Sequence, residues 1–313
     1  MNGFTTDPDA WVAAGGDAWR REVLSRAGRV AVFTDGDARC LAAIHPERPE
    51  MGTVGDWVGG PEVLDEAIGW LKGQGCRAAE GPAMLAPWFP AMATLGPFDV
   101  PPMLAEPTDR GARWEGAGWT RSARYVSIAA QHEAQIAAGM DRAARLSLRG
   151  WRLESLETGP SSQITEDAWD RAVAAIHEIA STAFRELPGY LSAPADVVAD
   201  FYRPQRQLLD PRLTLLARDP DGVASGFLLG LPAHVGGVAS GARWFQVLTL
   251  GVKPEASHSG VATWMVAAVH QAARKAGYTA GVHAMIRVES TVPDTAWYRG
   301  EVVREYASYR RTW

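Results

Sequence analysis

Residues Trp244 to Ala276 read WFQVLTLGVKPEASHSGVATWMVAAVHQAARKA. The first third is a nearly continuous apolar run ending at Val252, which suits a strand covered on both faces. The last third places Val261, Trp264, Met265, Ala268, Val269, Ala272 and Ala276 on one face of a helix. Between them Ser257, Ser259, Gly260 and Ala262 are all small. A small-residue loop at a helix start leaves amide N–H groups uncovered at the positive end of the helix dipole, where an anion is favoured. A Cβ at Gly260 would stand where an anion oxygen must approach the backbone. Ser257 and Ser259 read equally as ordinary helix caps.

Upstream of this unit, GWRLESL reads as a strand, residues 166–184 and 195–202 as helices, and residues 212–218 and 222–231 as two further strands. Downstream, AGYTAGVHAMIRVES contains another strand. The first half opens with helix-like material to Ala27 and a hairpin, Arg29–Phe33 with Cys40–Ile44, about the turn TDGD. There follow the strand TVGDWVG and a helix from Pro61 to Gln74 with Val63, Leu64, Ala67, Ile68 and Leu71 at helical spacing. A strand ending in EGP leads to a Trp/Phe/Pro-rich loop at 88–107 and an alternating strand, Thr120 to Ala130. Residues 131–149 read as an Ala/Arg-rich linking helix. The pattern predicts an α+β chain with mixed sheets: an N-terminal domain over 1–130, the helical linker 131–149 and a second domain over 150–313. Both halves close on an Arg/Tyr-rich strand, RSARYVS and VVREYASYRR, a weak sign of an internal repeat.

At 313 residues the chain is long enough for two domains of about 150 residues each. Its 47% hydrophobic and 21% charged content is that of a folded globular protein. A net charge of −5 offers no field for a phosphate backbone, so no nucleic-acid partner is expected. Lys72, Lys253 and Lys275 are the only lysines, an arginine bias that hints at a GC-rich, bacterial coding sequence. Two cysteines, Cys40 and Cys76, make neither a disulfide framework nor a zinc cluster. No apolar run approaches a membrane span, and MNGFTTDPDAW lacks a basic and apolar leader, so the expected location is cytoplasmic, with no membrane partner. The absence of G-x-x-x-x-G-K-S/T, G-x-G-x-x-G, G-x-S-x-G and H-E-x-x-H disfavours a kinase, a nicotinamide dehydrogenase, an α/β-hydrolase and a zincin.

Val252-Lys253-Pro254 followed by Ser257-His258-Ser259-Gly260-Val261-Ala262 resembles the acyl-CoA loop of the GCN5-related N-acetyltransferase superfamily. There, a strand ending V-x-P precedes R/Q-x-x-G-x-G/A and a helix. LTLLARDPDGVASGFLLGLPA is similar to that family's central hairpin, and the resemblance covers most of residues 150–313. MGTVGDWV, PEVLDEAIGWLKGQG and GARWEGAGW resemble it in the first half, which has no such loop and is read as catalytically silent. The fold implied is two tandem acyl-CoA N-acyltransferase domains, each a twisted mixed sheet flanked by helices. One departure is Ser257, where the family has a long polar side chain; Lys253 is the nearest electrostatic substitute.

The resemblance implies an N-acetyltransferase moving an acetyl or other short acyl group from acetyl-CoA or another acyl-CoA to a primary amine of a small molecule, with no metal. Leu250, Val252, Ser257, His258, Ser259, Gly260, Val261 and Ala262 would contact the cofactor. Tyr298, in PDTAWYRG, matches the family's thiolate-protonating tyrosine. The family's strand carboxylate is missing, since WFQVLTLGV offers only Gln246 and Thr249, and His283 is the candidate base, directly or through water. Glu289, Asp294 and His234 are further polar candidates, and Trp88, Trp244 and Trp297 candidate pocket walls. Oligomeric state is open. Two alternatives stand: a non-catalytic acyl-CoA-binding scaffold, and an acyltransferase with another donor such as an aminoacyl-tRNA, the latter at odds with the acidic charge.

Overall fold

The computed structural model describes residues 4–5, 7–13, 15, 29–45, 48–82, 93–95, 110–156, 164–185, 194–203, 206, 209–233, 243–288 and 300–313. Thirteen strands form one sheet: β1 (Phe4–Thr5), β2 (Val30–Asp35), β3 (Ala38–His45), β4 (Arg48–Val58), β5 (Ala78–Gly81), β6 (Ala93–Leu95), β7 (Thr120–Ala130), β8 (Arg152–Ser155), β9 (Thr214–Arg218), β10 (Ala224–Ala233), β11 (Trp244–Val252), β12 (Ala280–Arg287) and β13 (Glu301–Thr312). The helices are α1 (Pro8–Ala13), α2 (Glu62–Gly73), α3 (Gly111–Gly116), α4 (His132–Leu148), α5 (Glu166–Ala183), α6 (Ala195–Tyr202) and α7 (Val261–Lys275). None of the described helices is long and apolar enough to cross a membrane.

The strand order is β1-β2-β3-β4-β5-β13-β7-β12-β11-β10-β9-β8, with β6 on β13. Read from either end, the sheet runs through an antiparallel hairpin and then a parallel pair, β4 with β5 or β11 with β12, each joined by one helix. The centre is where the halves meet. β7, from the first half, pairs with β12 of the second. β13, from the second, pairs with β5 of the first, and β7 and β13 pair with each other. The two strands that read alike in sequence are thus exchanged between halves, and the two expected mixed sheets are fused edge to edge. A boundary drawn at residue 130 divides the chain but not the sheet.

Helix α2 buries all five residues picked out by its periodicity, against Ala31, Phe33, Cys40, Ala42 and Ile44. Its Val, Leu and Ile side chains contribute roughly 1.5–3 kcal/mol each by leaving water. In the second half alternate residues of one strand face opposite cores. Phe227 and Leu229 meet α5, and Leu228 meets α7. On α7 Val261, Met265 and Val269 of the expected stripe are buried and Trp264, Ala268, Ala272 and Ala276 half-buried, while Thr263, Val266, Ala267, His270 and Ala273, outside the stripe, are buried too. The reason is α4, which lies on the outside of α7: a Cβ on Gly139 would sit 2.2 Å from Ala267 Cβ and 3.0 Å from Thr263 O. The segment read as a linker is a packed second layer. Within residues 88–107 the short β6 adds to β13, a pairing that no local apolar pattern announces.

Candidate functional site

Strands β11 and β12 run side by side for four residue pairs, Trp244↔Ala280 to Val247↔His283, and then part. The parting coincides with an irregularity on the opposite edge of β11. Gly230 pairs with Val247 but Leu229 pairs with Thr249, so Leu248 is an extra residue. A bulge of this kind bends its strand and breaks the ladder locally. On the other arm β12 bulges too, between His283 and Ile286, where Met285 takes a left-handed φ of 56° and its amide donates to Ser127 Oγ at 3.1 Å. Beyond the fork Leu248, Thr249, Leu250 and Val252 are half-buried.

The end of β11 turns through a short 3-10 segment, Pro254–Ala256, into the loop and then α7. Ser257 Oγ donates to Pro254 O at 2.8 Å, and Ser259 Oγ donates to Ala256 O at 2.7 Å while accepting from the Val261 amide at 3.2 Å. Both serines act as turn and cap residues. Trp264 N donates to Gly260 O, so Ala262 and Thr263 carry first-turn amides for which no intrahelical acceptor exists. His258 is exposed on the loop. Gly260 has φ 90°, a left-handed conformation that glycine adopts without steric cost. The need for glycine is therefore met by the backbone itself, whatever approaches it. A Cβ there would also come within 3.3 Å of Arg142 Cδ and 3.6 Å of its Nε.

Arg142, from α4, was not expected from the sequence. It stands 118 residues before Gly260 and reaches the loop only because α4 lies on α7. Lys253, expected to compensate for Ser257, instead binds Glu178 Oε1 of α5 at 2.5 Å. The long cation beside the loop is Arg142.

His283, at the last paired position before the fork, is buried and turned toward α7. Its Nε2 lies 2.8 Å from His270 Nε2; His270 Nδ1 lies 3.0 Å from His132 Nδ1; and His132 Nε2 lies 3.0 Å from the Tyr278 carbonyl. The three rings are 1%, 0% and 3% exposed. Burial, then the neighbouring His283 and His132, push His270 down to about 2, so it stays neutral in the folded protein. The unfolded chain binds a proton there below about pH 6.5, so stability should fall as the pH drops from 6.5 toward 2. The slope is about 1.4 kcal/mol per pH unit for that one proton. Denaturant midpoints between pH 7.5 and 5 should show it, and His270→Asn should have the shallower slope; equal slopes would mean that His270 is charged when folded. Tyr298, Glu289, Asp294, His234, Trp88 and Trp297 lie outside the described residues. Trp244 is half-buried on β11, and Gln246, also on β11, is buried with an Oε1 that has no hydrogen-bond partner.

The equivalent fork in the first half is filled. β4 and β5 pair from Met51↔Ala78 to Thr53↔Glu80 and then part. The buried Trp114 ring occupies the gap. A Cβ on Gly81 would meet Trp114 Cη2 at 2.6 Å and Val54 O at 2.8 Å. Trp57 and Trp119 pack edge-on against that ring, and Tyr309 of β13 stacks on it. Where the second half has its loop, Arg113 donates to Trp57 O at 2.7 Å and to Gly59 O, with its guanidinium 3.7 Å over the Trp57 ring. Trp114→Ala should cost about 3–5 kcal/mol of stability, as for a buried aromatic that leaves a cavity, measured by denaturant unfolding.

No family model and no curated protein sequence matches the chain. Solved structures do. A GCN5-related N-acetyltransferase from Sphaerobacter thermophilus is 16% identical over 96% of this chain and 88% of that one, with a TM-score of 0.44. A GCN5-related N-acetyltransferase from Kribbella flavida is 14% identical over 97% and 63%, with a TM-score of 0.47. A tandem GNAT protein from the clavulanic acid biosynthesis pathway is 12% identical over 90% and 82%, with a TM-score of 0.40. The solved structures this chain is similar to thus include GCN5-related N-acetyltransferases, one of them a tandem protein.

Proposed function

We propose that the protein is an acyl-CoA-dependent N-acyltransferase whose acyl-CoA site is the fork between β11 and β12 together with loop 257–262. The observation that carries this is the coincidence at one place of three things: a parallel pair that parts at a bulge, a left-handed glycine opening a long helix, and a cation laid beside that glycine. The parted edge of β11 offers backbone groups to an extended amide-bearing arm, as a strand edge does. The orphan amides of Ala262 and Thr263, with the dipole of α7 and Arg142, favour the diphosphate of CoA. These residues fit acyl-CoA, which when bound supplies the activated thioester.

The chain's own contribution is to hold the two reactants in line, which can account for much of the rate of a direct transfer. The acceptor is a primary amine of a small molecule, and acetyl is the preferred acyl group. Tyr298 is assigned, by resemblance alone, the proton for the departing thiolate. The first half, its fork closed by Trp114, is assigned no chemistry; it completes the sheet.

Calorimetric titration with acetyl-CoA and with free CoA tests the reading. Saturable binding is expected, weakened about fivefold, roughly 1 kcal/mol, in Arg142→Ala. Thiol release with small primary amines should fall in Tyr298→Phe while binding is kept. Binding without turnover of any amine would favour the scaffold alternative, and no binding of either ligand would remove acyl-CoA from the proposal.

A further inference from the structure

We infer that Ser127, braced by the Tyr306 hydroxyl, is a positioning residue: it holds Met285 in a left-handed conformation that bends β12 away from β11 and keeps the two arms of the fork apart. This rests on reading the fork as the acyl-CoA site. The argument begins at the backbone. β11 and β12 share pairs only as far as Val247↔His283, and each arm carries one extra residue directly after that pair. On β11 it lies between Val247 and Thr249, against β10. On β12 the three steps from His283 to Ile286 oppose the two from Ile128 to Val126 of β7. Both arms thus bend at one level, each bulge lying against its own outer neighbour, and a bulge disrupts pairing where it sits. The filled fork of the first half differs. There β5 keeps an unbroken register with its outer neighbour β13, from Thr312↔Ala78 to Tyr309↔Gly81.

Met285 is where β12 bends. Its φ of 56° puts a residue with a Cβ in the left-handed region, a conformation that persists only where the surroundings hold it. Among the described residues the other non-glycine in that region is Asp56, and its carboxylate is held by Arg39, with Nε 2.7 Å from Oδ2. What holds Met285 is Ser127. The Met285 amide donates to Ser127 Oγ at 3.1 Å, and Ser127 Oγ lies 3.1 Å from the Tyr306 hydroxyl. A hydroxyl has two acceptor lone pairs and one hydrogen, so Ser127 takes the amide hydrogen and still bonds Tyr306 in either direction. Ser127 and Tyr306 are both buried, where an amide left without an acceptor is penalised. The Met285 side chain packs against the cluster of Ala123, Tyr125 and Tyr306.

The Met285 N–H is therefore committed to β7 and does not enter a ladder with β11. Were Met285 to relax to an extended φ, β12 would straighten toward the register it keeps with β11 up to His283. The edge of β11 proposed for the amide-bearing arm would then be covered. Ser127 belongs to β7, the last strand of the first half, and Tyr306 to β13, the closing strand of the second. The half whose own fork is filled thereby sets the opening of the other.

The conformation can be read without ligand. In the full chain labelled with 15N-methionine, Met285 should show the strong intraresidue amide-to-Hα Overhauser effect of a left-handed residue, and Ser127→Ala should lose it. An extended Met285 in the wild-type protein, or a left-handed one in Ser127→Ala, overturns the inference. Calorimetric titration with acetyl-CoA reads the consequence. Ser127→Ala should weaken binding about tenfold. Met285→Val, which leaves both hydroxyls in place but disfavours the left-handed conformation, should also weaken it about tenfold. Glycine takes a φ of 56° without steric cost, so in a Met285→Gly background the loss caused by Ser127→Ala should shrink to about threefold or less. A hydroxyl that mattered only for packing would cost the same in both backgrounds. Wild-type affinity in Ser127→Ala, or a loss that persists undiminished beside Met285→Gly, would overturn the role. If the wild-type protein binds no acetyl-CoA, the proposed function falls and the fork loses its assigned ligand, while the spectra still decide whether Ser127 sets Met285.

Discussion

Neither half of the chain is expected to fold alone. Fragments 1–149 and 150–313, expressed separately, should be insoluble or give no cooperative unfolding transition, whereas coexpressed they should copurify as a one-to-one complex. The reason is the exchange at the centre of the sheet. Without the second fragment, β5 and β7 lose β13 on one side each, β7 also loses β12, and the buried Ala307 and Tyr309 leave the first core. Tyr309 is a stacking partner of Trp114 and bonds Glu115 at 3.1 Å, so the filled fork opens as well. β7, eleven residues long, is left without either neighbour, and an exposed strand of that length is a template for aggregation. A first fragment that unfolds cooperatively by itself, with a stability near that of the whole protein, would show that β13 adds little to it. Removal of residues 301–313 alone should have the same consequence for the whole chain.

The second large effect is expected at one atom. Gly260→Asp should weaken acetyl-CoA binding at least 100-fold, about 2.7 kcal/mol, measured by calorimetry at constant salt. Three costs add. A φ of 90° is strained for any residue with a Cβ, by about 1–2 kcal/mol. The new carboxylate stands at a helix N-terminus that the diphosphate would otherwise occupy. It also lies beside Arg142 and would neutralise the cation assigned to the same ligand. Gly260→Ala separates these terms, because it brings the strain without the charge, and it should bind with an intermediate affinity. An unchanged affinity in Gly260→Asp would place acyl-CoA elsewhere, or nowhere, on the protein.

What could be read from the amino-acid sequence was what is written locally. The periodicities of Pro61–Gln74 and of residues 166–184, and the alternation of Thr120–Ala130, come from neighbours within a few residues, and these elements stand where the patterns put them. The segment Ser257–Ala262 was legible as a turn between a strand and a helix, because its run of small residues interrupts both patterns. What could not be read depends on partners far away along the chain. That α4 is a packed layer follows from Gly139 meeting Ala267, and α4's own pattern of many alanines and arginines says only that a helix forms. The likeness of RSARYVS and VVREYASYRR hinted at a repeat, but that the two strands change places is a fact of the whole sheet. Of the histidine chain only His283 drew notice. His132 and His270 sit 138 residues apart, and nothing in the spacing joins them. The filled fork rests on Trp114, whose burial no short motif encodes.

The exchanged closing strands also set an order of assembly. Contacts such as that of Tyr309 with Glu115 join residues 194 apart in the chain, and the partners that complete the first core are translated long after it. Long-range pairing of this kind is slow because loop-closure entropy is paid before any contact repays it. The first half must therefore wait on the ribosome with β5 and β7 uncovered until residues 301–312 arrive, and during that interval it is a client for chaperones. Strand β13, once made, closes the open edges of β5 and β7 together.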